Sequence, residues 1–362
     1  MNPLPATAFL AFAAALLFAL PLLPAIAELR KKHDAQPLRV NPEYAGDIRH
    51  FARGFRSYAD ALRQPLQECV AAHSTATGKL HNGDRYLVLG DSDNRVLLRE
   101  GNMSGTSCPL VVVAGIDLAL PPGLTFLKEI YACGQFIGGA ESTYRAICGE
   151  KGIHLQHNSK VTRWVHAAGD FEADRNCDLY GRASSDGEMS LHSGCFFQRL
   201  NAPRIATGSA SVATGSRLSA ASDIPTEKPV PAKPNSRRLI EGDWEIQSGA
   251  VITENIVTRG SLRIGSGVRI AGSAKSSGEM VVGPDVVVEG SLISAASMHI
   301  GPRGLIGGPV IAERAMVIES GTQCGSVGSP TTVSAPLIDA EEECLFFGTL
   351  WAREHGHVVP KP

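Results

Sequence analysis

The stretch SLRIGSGVRIAGSAKSSG (261–278) is followed by EMVVGPDVVVEGSLISAA (279–296) and SMHIGPRGLIGGPVIAER (297–314), which align with it residue by residue. The same register begins in WEIQSGAVITENIVTRG (244–260) and continues in AMVIESGTQCGSVGSPTT (315–332). The period is 18 residues, which is shorter than the repeats of helical solenoids.

Three columns of this alignment are apolar. They hold Ile246, Ile264, Val282, Ile300 and Ile318; then Ile252, Ile270, Val288, Ile306 and Cys324; and finally Trp244, Leu262, Met280, Met298 and Met316. The first and third columns are two residues apart, so on a strand they share one face, which we expect to be interior. The first two columns are six residues apart, which indicates a coil with three short sides. The sequence therefore predicts an all-β protein, a parallel β-helix built as a solenoid of 18-residue coils. Glycines after the first column, such as Gly265 and Gly283, are expected at corners that need a permissive backbone.

The preceding region carries the same period less regularly. GIHL (152–155), DFEA (170–173) and EMSL (188–191) align, and Ile137 is expected to extend their first apolar column upstream. The aligned interior positions are Ile153, Phe171 and Met189; Leu155, Ala173 and Leu191; and Val161, Leu179 and Phe197. We predict an irregular β-helical half at 85–205 and a regular β-helix at 239–332.

The other segments differ in composition. Residues 206–238 are rich in Ser, Ala, Pro and Lys without periodicity, which predicts a disordered linker. The spacing leaves open whether this linker joins two β-helices or loops out of one. Residues 36–84 contain apolar residues at helical spacing (Phe51, Phe55, Tyr58, Leu62), which predicts a short linking helix. Residues 333–362 are expected to form either a cap or a contact segment.

The N-terminal segment 1–35 is predicted to be a transmembrane helix with a basic flank. No charged residue occurs between Leu4 and Ala27, a length that as a helix spans a bilayer core of about 30 Å. Arg30, Lys31 and Lys32 follow it, so the positive-inside rule predicts a single-pass protein of the inner membrane with a cytoplasmic C-terminal body. The alternative is export through a signal peptide cleaved after Ala25-Ile26-Ala27.

The run MVVGPDVVVEGSLISAASMHIGPRGLIGGPVIAERAMVIESG (280–321) resembles the bactofilins, polymer-forming cytoskeletal proteins of bacteria. The resemblance covers roughly residues 240–328, in the V-x-G and I-G steps and the VIAER turn. It implies a right-handed β-helix that polymerises end to end without a nucleotide. The expected function is a membrane-anchored, self-assembling scaffold that organises envelope or polysaccharide machinery. Its expected partners are further copies of itself, the membrane and unidentified envelope proteins.

Composition argues against two other classes of function. Basic and acidic residues number 34 and 36 and are mixed along the chain, so nucleic acid is not an expected partner. The eight cysteines form no CxxC pair, and no metal site or other cofactor is predicted. Cys177 and Cys195 are one period apart and should stack on adjacent coils, where a disulfide bridge is left open.

Two enzyme classes are the alternative to a scaffold. I-G-x-x-V-x-I at 264–270 also occurs in hexapeptide-repeat acyltransferases, which need a general base. His299 is expected to point to solvent without a carboxylate partner. A carbohydrate lyase or hydrolase would use carboxylates in a groove, for which Glu172, Asp174, Asp178, Asp186 and Glu188 are the candidates. These acids, like Arg163, Arg182 and Arg199, are expected on outward positions of the coils, so we predict no catalytic residues and no enzyme.

Overall fold

A computed structural model describes residues 8–10, 14, 17, 47–91, 96–99, 103–208 and 236–361. The architecture below belongs to one compact unit, Ile48–Pro362. It begins with helix α1 (His50–Ala59), a 3-10 turn (Asp60–Leu62) and helix α2 (Arg63–Ala71).

The strands of the first half are β1 (Thr75–Lys79), β2 (Arg85–Leu89), β3 (Ser107–Cys108), β4 (Val111–Ala114), β5 (Leu118–Ala119), β6 (Thr125–Ala132), β7 (Phe136–Gly138), β8 (Thr143–Gly149), β9 (Ile153–Leu155), β10 (Lys160–Ala167), β11 (Phe171–Ala173), β12 (Asp178–Ser185), β13 (Glu188–Leu191) and β14 (Phe196–Thr207). Those of the second half are β15 (Arg237–Ile240), β16 (Trp244–Ile246), β17 (Val251–Ile252), β18 (Asn255–Thr258), β19 (Leu262–Ile264), β20 (Arg269–Ile270), β21 (Ala274–Ser276), β22 (Met280–Val282), β23 (Val287–Val288), β24 (Leu292–Ser294), β25 (Met298–Ile300), β26 (Leu305–Ile306), β27 (Val310–Ala312), β28 (Ala315–Ile318), β29 (Gln323–Cys324), β30 (Thr331–Glu341) and β31 (Leu345–Val359).

These strands form a β-solenoid of about 13 turns. In the second half each strand pairs in parallel with the strand one period away, so Ile264 lies opposite both Ile246 and Val282. The strands stack in three rows, represented by β19–β22, β20–β23 and β21–β24. The predicted interior columns are buried, except that Trp244 and Ile252 in the first coil are only partly so. The β-solenoid prediction is therefore confirmed.

The first half has the same arrangement of stacked parallel strands, but some of its coils are shorter than the period of the second half. Phe171 lies opposite Ile153 and Met189, as the alignment predicts. One assignment is wrong, because Phe136, not Ile137, lies opposite Ile153 and is buried. The coil between Phe136 and Ile153 is one residue shorter than the period, which shifts the side-chain alternation by one and turns Ile137 outward.

The two halves join end to end through strands of opposite direction, a contact we call the joint. β14 ends the first half, and it pairs antiparallel with β31, the last strand of the second half. Leu200 lies opposite Leu350, and one continuous apolar core includes residues from both halves. In the C-terminal segment, β30 continues the solenoid by pairing in parallel with β27 and β28, and β31 makes the contact between the halves, which form one stack.

The joint also explains why the halves need a connecting segment. Gly208 is at the joint, where its amide donates to the Leu191 carbonyl, whereas Ser236 is at the opposite end of the second half, where its carbonyl accepts from Asn255. Six strand-to-strand steps separate these ends, or about 29 Å at the usual strand spacing. Most of the predicted disordered linker (209–235) lies outside the described residues, but its margins Ala206, Thr207 and Arg238 belong to strands β14 and β15.

The corner glycines are needed for a reason other than the one expected. Positive φ angles occur two residues later, at Gly267 (67°), Asp285 (58°) and Arg303 (60°). At Gly301 a Cβ atom would instead lie 3.0 Å from the backbone of Gly283 in the adjacent coil. The glycines that follow the first column therefore allow successive corners to stack closely.

The predicted linking helix is two helices that pack along the side of the solenoid. Phe55 of α1 lies 5.7 Å, centroid to centroid, from Trp164 on the outward face of β10. Arg56 donates to both carboxylate oxygens of Glu150 at 2.6 and 3.1 Å, and the Tyr131 hydroxyl donates to the same group at 2.7 Å. α1 thus covers one outward face of the first half.

Most of the predicted transmembrane segment (Leu4–Ala27) and the basic cluster after it lie outside the described residues. Within the parts of the chain that are described, no helix combines the length and apolar character needed to cross a bilayer.

Candidate functional site

Two surfaces of the solenoid stand out: a polar groove on the first half, and the terminal coil (237–252) at the outer end of the second half. The groove has a volume of about 600 Å³, within the range of small-ligand sites. Its polar lining residues are Gln135, Glu150, Lys151, His154, Asp170 and Glu172.

The groove forms at a corner where successive coils approach closely. A Cβ atom at Gly187 would lie 2.2 Å from Asp170 Oδ1, so only glycine leaves room for that carboxylate. Asp170 Oδ1 accepts a hydrogen bond of 2.8 Å from the Glu188 amide of the next coil. Asp117 makes the equivalent bond to Gln135, and Asp243 to Ser261 in the second half. Asp170 therefore has a structural role at the corner, and Glu150 has another through its contacts with α1.

Beside the groove lies a group that we call the His–carboxylate cluster: His154, Glu172, Asp174 and His192. Glu172 on β11 lies directly opposite His154 on β9. His154 Nε2 is 3.1 Å from Asp174 Oδ1, and His192 Nε2 is 3.3 Å from Glu172 Oε1. The cluster thus unites two of the five predicted carboxylates with two histidines that had not been singled out.

The other three predicted carboxylates are dispersed among separate ion pairs. Asp178 lies 3.2 Å from Lys160, Asp186 2.9 Å from Arg49, and Glu188 2.7 Å from Arg204. These contacts are what outward polar positions are expected to make, and exposed pairs of this kind add little to stability.

His299 lies on an exposed outward position, as expected, but it does have a carboxylate partner. Its Nε2 is 2.6 Å from Glu319 Oε1, so the expectation of an isolated histidine is wrong. Glu319 follows β28 on the next coil, and sequence spacing places it two residues beyond the position opposite His299. The same offset relates His154 to Asp174, so it could have been found by aligning the outward columns.

Two of the three arginines expected on outward positions contact aromatic rings. The Arg182 guanidinium lies 4.9 Å from the centre of the Phe51 ring, and that of Arg199 lies 4.9 Å from the centre of Trp351. Arg182 thus faces α1, and Arg199 contributes to the joint.

The cysteines are free thiols, and seven of the eight are buried. The Cys177 and Cys195 thiols stack one coil apart, and each donates to a carbonyl of the preceding coil, at 3.3 Å to Gln156 and 3.1 Å to Asp174. Cys344 repeats this contact in the second half, donating to the Glu319 carbonyl at 3.2 Å, and burial raises its pKa to about 12. These thiols therefore fill corner positions, and Cys344 remains protonated at neutral pH.

The terminal coil is one end of the stack, and its strands have partners on one side. Among the described residues, β15 pairs with β18, β16 with β19 and β17 with β20, and each strand leaves its outer edge unpaired. Leu239 is 47% exposed and Val251 69% exposed. Exposed apolar side chains beside unpaired strand edges are the usual features of a surface that accepts another strand.

The outer end of the first half is closed by comparison. β1 and β2 form an antiparallel hairpin there, and Val96 and Leu97 are buried against the core with exposures of 7% and 0%. Among the described residues, β1, β3 and β5 also pair on one side only, but the hairpin and the buried Val96 and Leu97 cover this end, whereas the terminal coil carries no such cover.

Comparison of the chain with protein-family models, curated proteins and solved structures found no match.

Proposed function

We propose that this protein is a bactofilin-like scaffold, held at a membrane by its N-terminal segment, whose terminal coil pairs with the terminal coil of a second copy. The observation that carries the proposal is the open outer edge of β15–β17 with Leu239 and Val251 exposed beside it. The resemblance of residues 280–321 to the bactofilins supports self-association as the role of such an end.

The joint offers a precedent for the geometry of this contact. There, β14 and β31 bring two solenoid ends together antiparallel and bury Leu200 against Leu350. Two terminal coils related by a two-fold axis would also meet antiparallel, each presenting the same surface. Because a hairpin and the buried Val96 and Leu97 cover the other end of the stack, we expect this association to end at a pair of molecules and not to continue into a filament.

The charges of the terminal coil are compatible with self-association. Arg238 is 3.1 Å from Glu254, and Arg259 is 3.0 Å from Glu241, so both signs occur at this end in paired form. Both signs therefore occur on each copy, so opposite charges of the two copies can pair across an isologous contact. Such a pair would present two membrane segments and two grooves to client proteins.

The proposal is tested by sedimentation velocity and electron microscopy of the full-length chain in a mild detergent. We expect a concentration-dependent dimer, and we expect Leu239→Lys combined with Val251→Lys to weaken dimerisation by at least about tenfold, or about 1.4 kcal/mol, because it places charges on the pairing edge.

Val327→Lys is the matched control, because Val327 is 79% exposed but belongs to the turn between β29 and β30. It should dimerise like the wild type. A strictly monomeric chain, or open filaments that the double variant leaves intact, would contradict the proposal.

A carbohydrate-active protein is the second candidate, and the observation that favours it is the groove with its carboxylates Glu150, Asp170 and Glu172. Two of these acids have the structural contacts described above, which weakens the candidate. A monomer that releases reducing ends from a polysaccharide, and loses this activity in Glu172→Gln, would replace the scaffold proposal with this one.

A further inference from the structure

The His–carboxylate cluster has the composition and the spacing of a metal site. Its four side chains come from two outward columns of the first half, His154 with Glu172 and Asp174 with His192, each pair one period apart. Parallel stacking brings these columns together on three successive coils, those of β9, β11 and β13. The solenoid itself therefore assembles the group.

The donor atoms are already close to ligand distances. One ring nitrogen of His154 and one carboxylate oxygen each of Glu172 and Asp174 all lie within 4.8 Å of one another. Around a tetrahedral ion with bonds of about 2.1 Å, ligand atoms are separated by about 3.4 Å. The 3.1 Å between His154 Nε2 and Asp174 Oδ1 meets this spacing, and small side-chain rotations bring Glu172 to it.

His192 is a further donor beside these three, but it lies outside the group of atoms within 4.8 Å of one another, so its side chain must rotate to join them. Its Nε2 lies 3.3 Å from Glu172 Oε1, on the opposite side of Glu172 from the coil of His154. All four side chains stand on short strands or at their ends, and their backbones are fixed by pairing to neighbouring coils. A ligand set held on such elements loses little conformational freedom when a cation binds.

The chemistry of the set selects a class of ion. Two imidazoles with two carboxylates suit a first-row divalent cation such as Zn²⁺, whereas Mg²⁺ and Ca²⁺ prefer oxygen ligands throughout. We propose that His154, Glu172 and Asp174, joined by His192 after rotation of its side chain, bind one Zn²⁺-like cation on the outer face of the first half. Bound there, the ion cross-links three coils, and it lies at the rim of the groove because His154 and Glu172 both line it.

The test is calorimetric titration of the chelator-treated, full-length protein with Zn²⁺, Mg²⁺ and Ca²⁺ in separate experiments. We expect one Zn²⁺ per chain and weaker binding of the other two ions. His154→Gln and Glu172→Gln should each weaken Zn²⁺ binding by more than ~100-fold, the upper end of what loss of an outer-sphere partner costs. In thermal unfolding, Zn²⁺ should raise the melting temperature of the wild type but not of these variants.

Two controls separate this site from other Zn²⁺ ligands. His299→Gln removes a histidine whose carboxylate partner, Glu319 at 2.6 Å, belongs to the second half, and Cys133→Ser removes the one cysteine that is not buried. Both should bind Zn²⁺ like the wild type. Unchanged binding in the two cluster variants, loss of binding in Cys133→Ser, or Mg²⁺ binding as tight as that of Zn²⁺ would overturn the proposal. None of these outcomes depends on whether the protein dimerises.

Discussion

At the scale of single residues, His166 is a buried titratable group on the outward face of β10 beneath α1. It is 2% exposed, its Nδ1 lies 3.0 Å from Ser184 Oγ, and its Nε2 lies 3.9 Å from Asp186 Oδ2. A serine, a histidine and an aspartate thus lie close together, but Ser184 is also only 2% exposed. Because a substrate cannot reach that hydroxyl, we interpret the group as support for the packing of α1.

Titration of His166 should make the packing of α1 depend on pH. Burial lowers the pKa of His166 below 6.5; Asp186 and Glu150 oppose this shift, and Arg56 and Arg49 add to it. The unfolded chain therefore binds a proton on this histidine at a pH where the folded chain does not. The contribution of His166 to the free energy of unfolding is fully present above about pH 6.5 and falls as the pH decreases toward the folded-state pKa.

Denaturant unfolding of the wild type and His166→Asn between pH 7.5 and 5 checks this, both values being at least about one unit away from the ordinary histidine pKa. The variant should be less stable at neutral pH and should lose less stability on acidification. His299→Gln is the control, and it should follow the wild type. An equal loss of stability on acidification in all three proteins would show that His166 is not responsible.

At the scale of elements, α1 covers one side of the solenoid through several contacts, among them an apolar one at Phe55 and a charged one at Arg56. Phe55, 8% exposed, lies against Trp164 and Tyr131, and Arg56 donates to Glu150 at the groove wall. Burial is the first cause of the raised pKa of Tyr131, and its hydrogen bond to Glu150 is the next. The helix therefore shares Glu150 with the groove, and its detachment would change the groove's charge.

Phe55→Ala should detach α1 without unfolding the coils. The expected loss is about 3 kcal/mol, since a large side chain is removed from a buried contact. Hydrogen exchange should accelerate in α1 and α2 but not in β19 or β22. Phe51→Ala is the matched control on the same helix, because Phe51 is 49% exposed, and its change should stay within about 1 kcal/mol. Equal effects of the two variants would contradict this account of α1.

The sequence predicted those elements whose spacing is regular. Columns such as Ile264, Val282 and Ile300 could be found because every coil from β16 to β28 has the same length. Each interior apolar side chain therefore lies opposite another apolar side chain. Phe136 was missed because one shorter coil changes which side chain points inward. The cluster around His154 consists of polar outward residues, so the apolar columns do not reveal it, although the same period relates His154 to Glu172. The opposite direction of the halves has no local signal, since it depends on the contact between β14 and β31.

At the scale of the whole molecule, the joint determines whether the two halves act as one stack. In a solenoid each coil is stabilised mainly by its neighbours, so a stack gains cooperativity only across well-packed contacts. At the joint Leu200, Leu350 and Phe346 are buried, and Thr207 donates to the Glu341 carbonyl at 2.6 Å. The two last coils thus protect each other's apolar ends, which in separate molecules would be open like the terminal coil.

Leu350→Asp should separate the halves while each keeps its outer coils. A carboxylate at this fully buried position loses its hydration without gaining a partner, so pairing between β14 and β31 should be lost. We expect hydrogen exchange to become fast in β14 and β31, with β9 and β19 still protected, and thermal unfolding to divide into two transitions. Trp351→Asp is the control at the next residue, because Trp351 is 39% exposed and faces Arg199, and it should keep one transition. If Leu350→Asp instead unfolds all coils together, the halves are not independently stable, and the joint is required for folding as well as for cohesion.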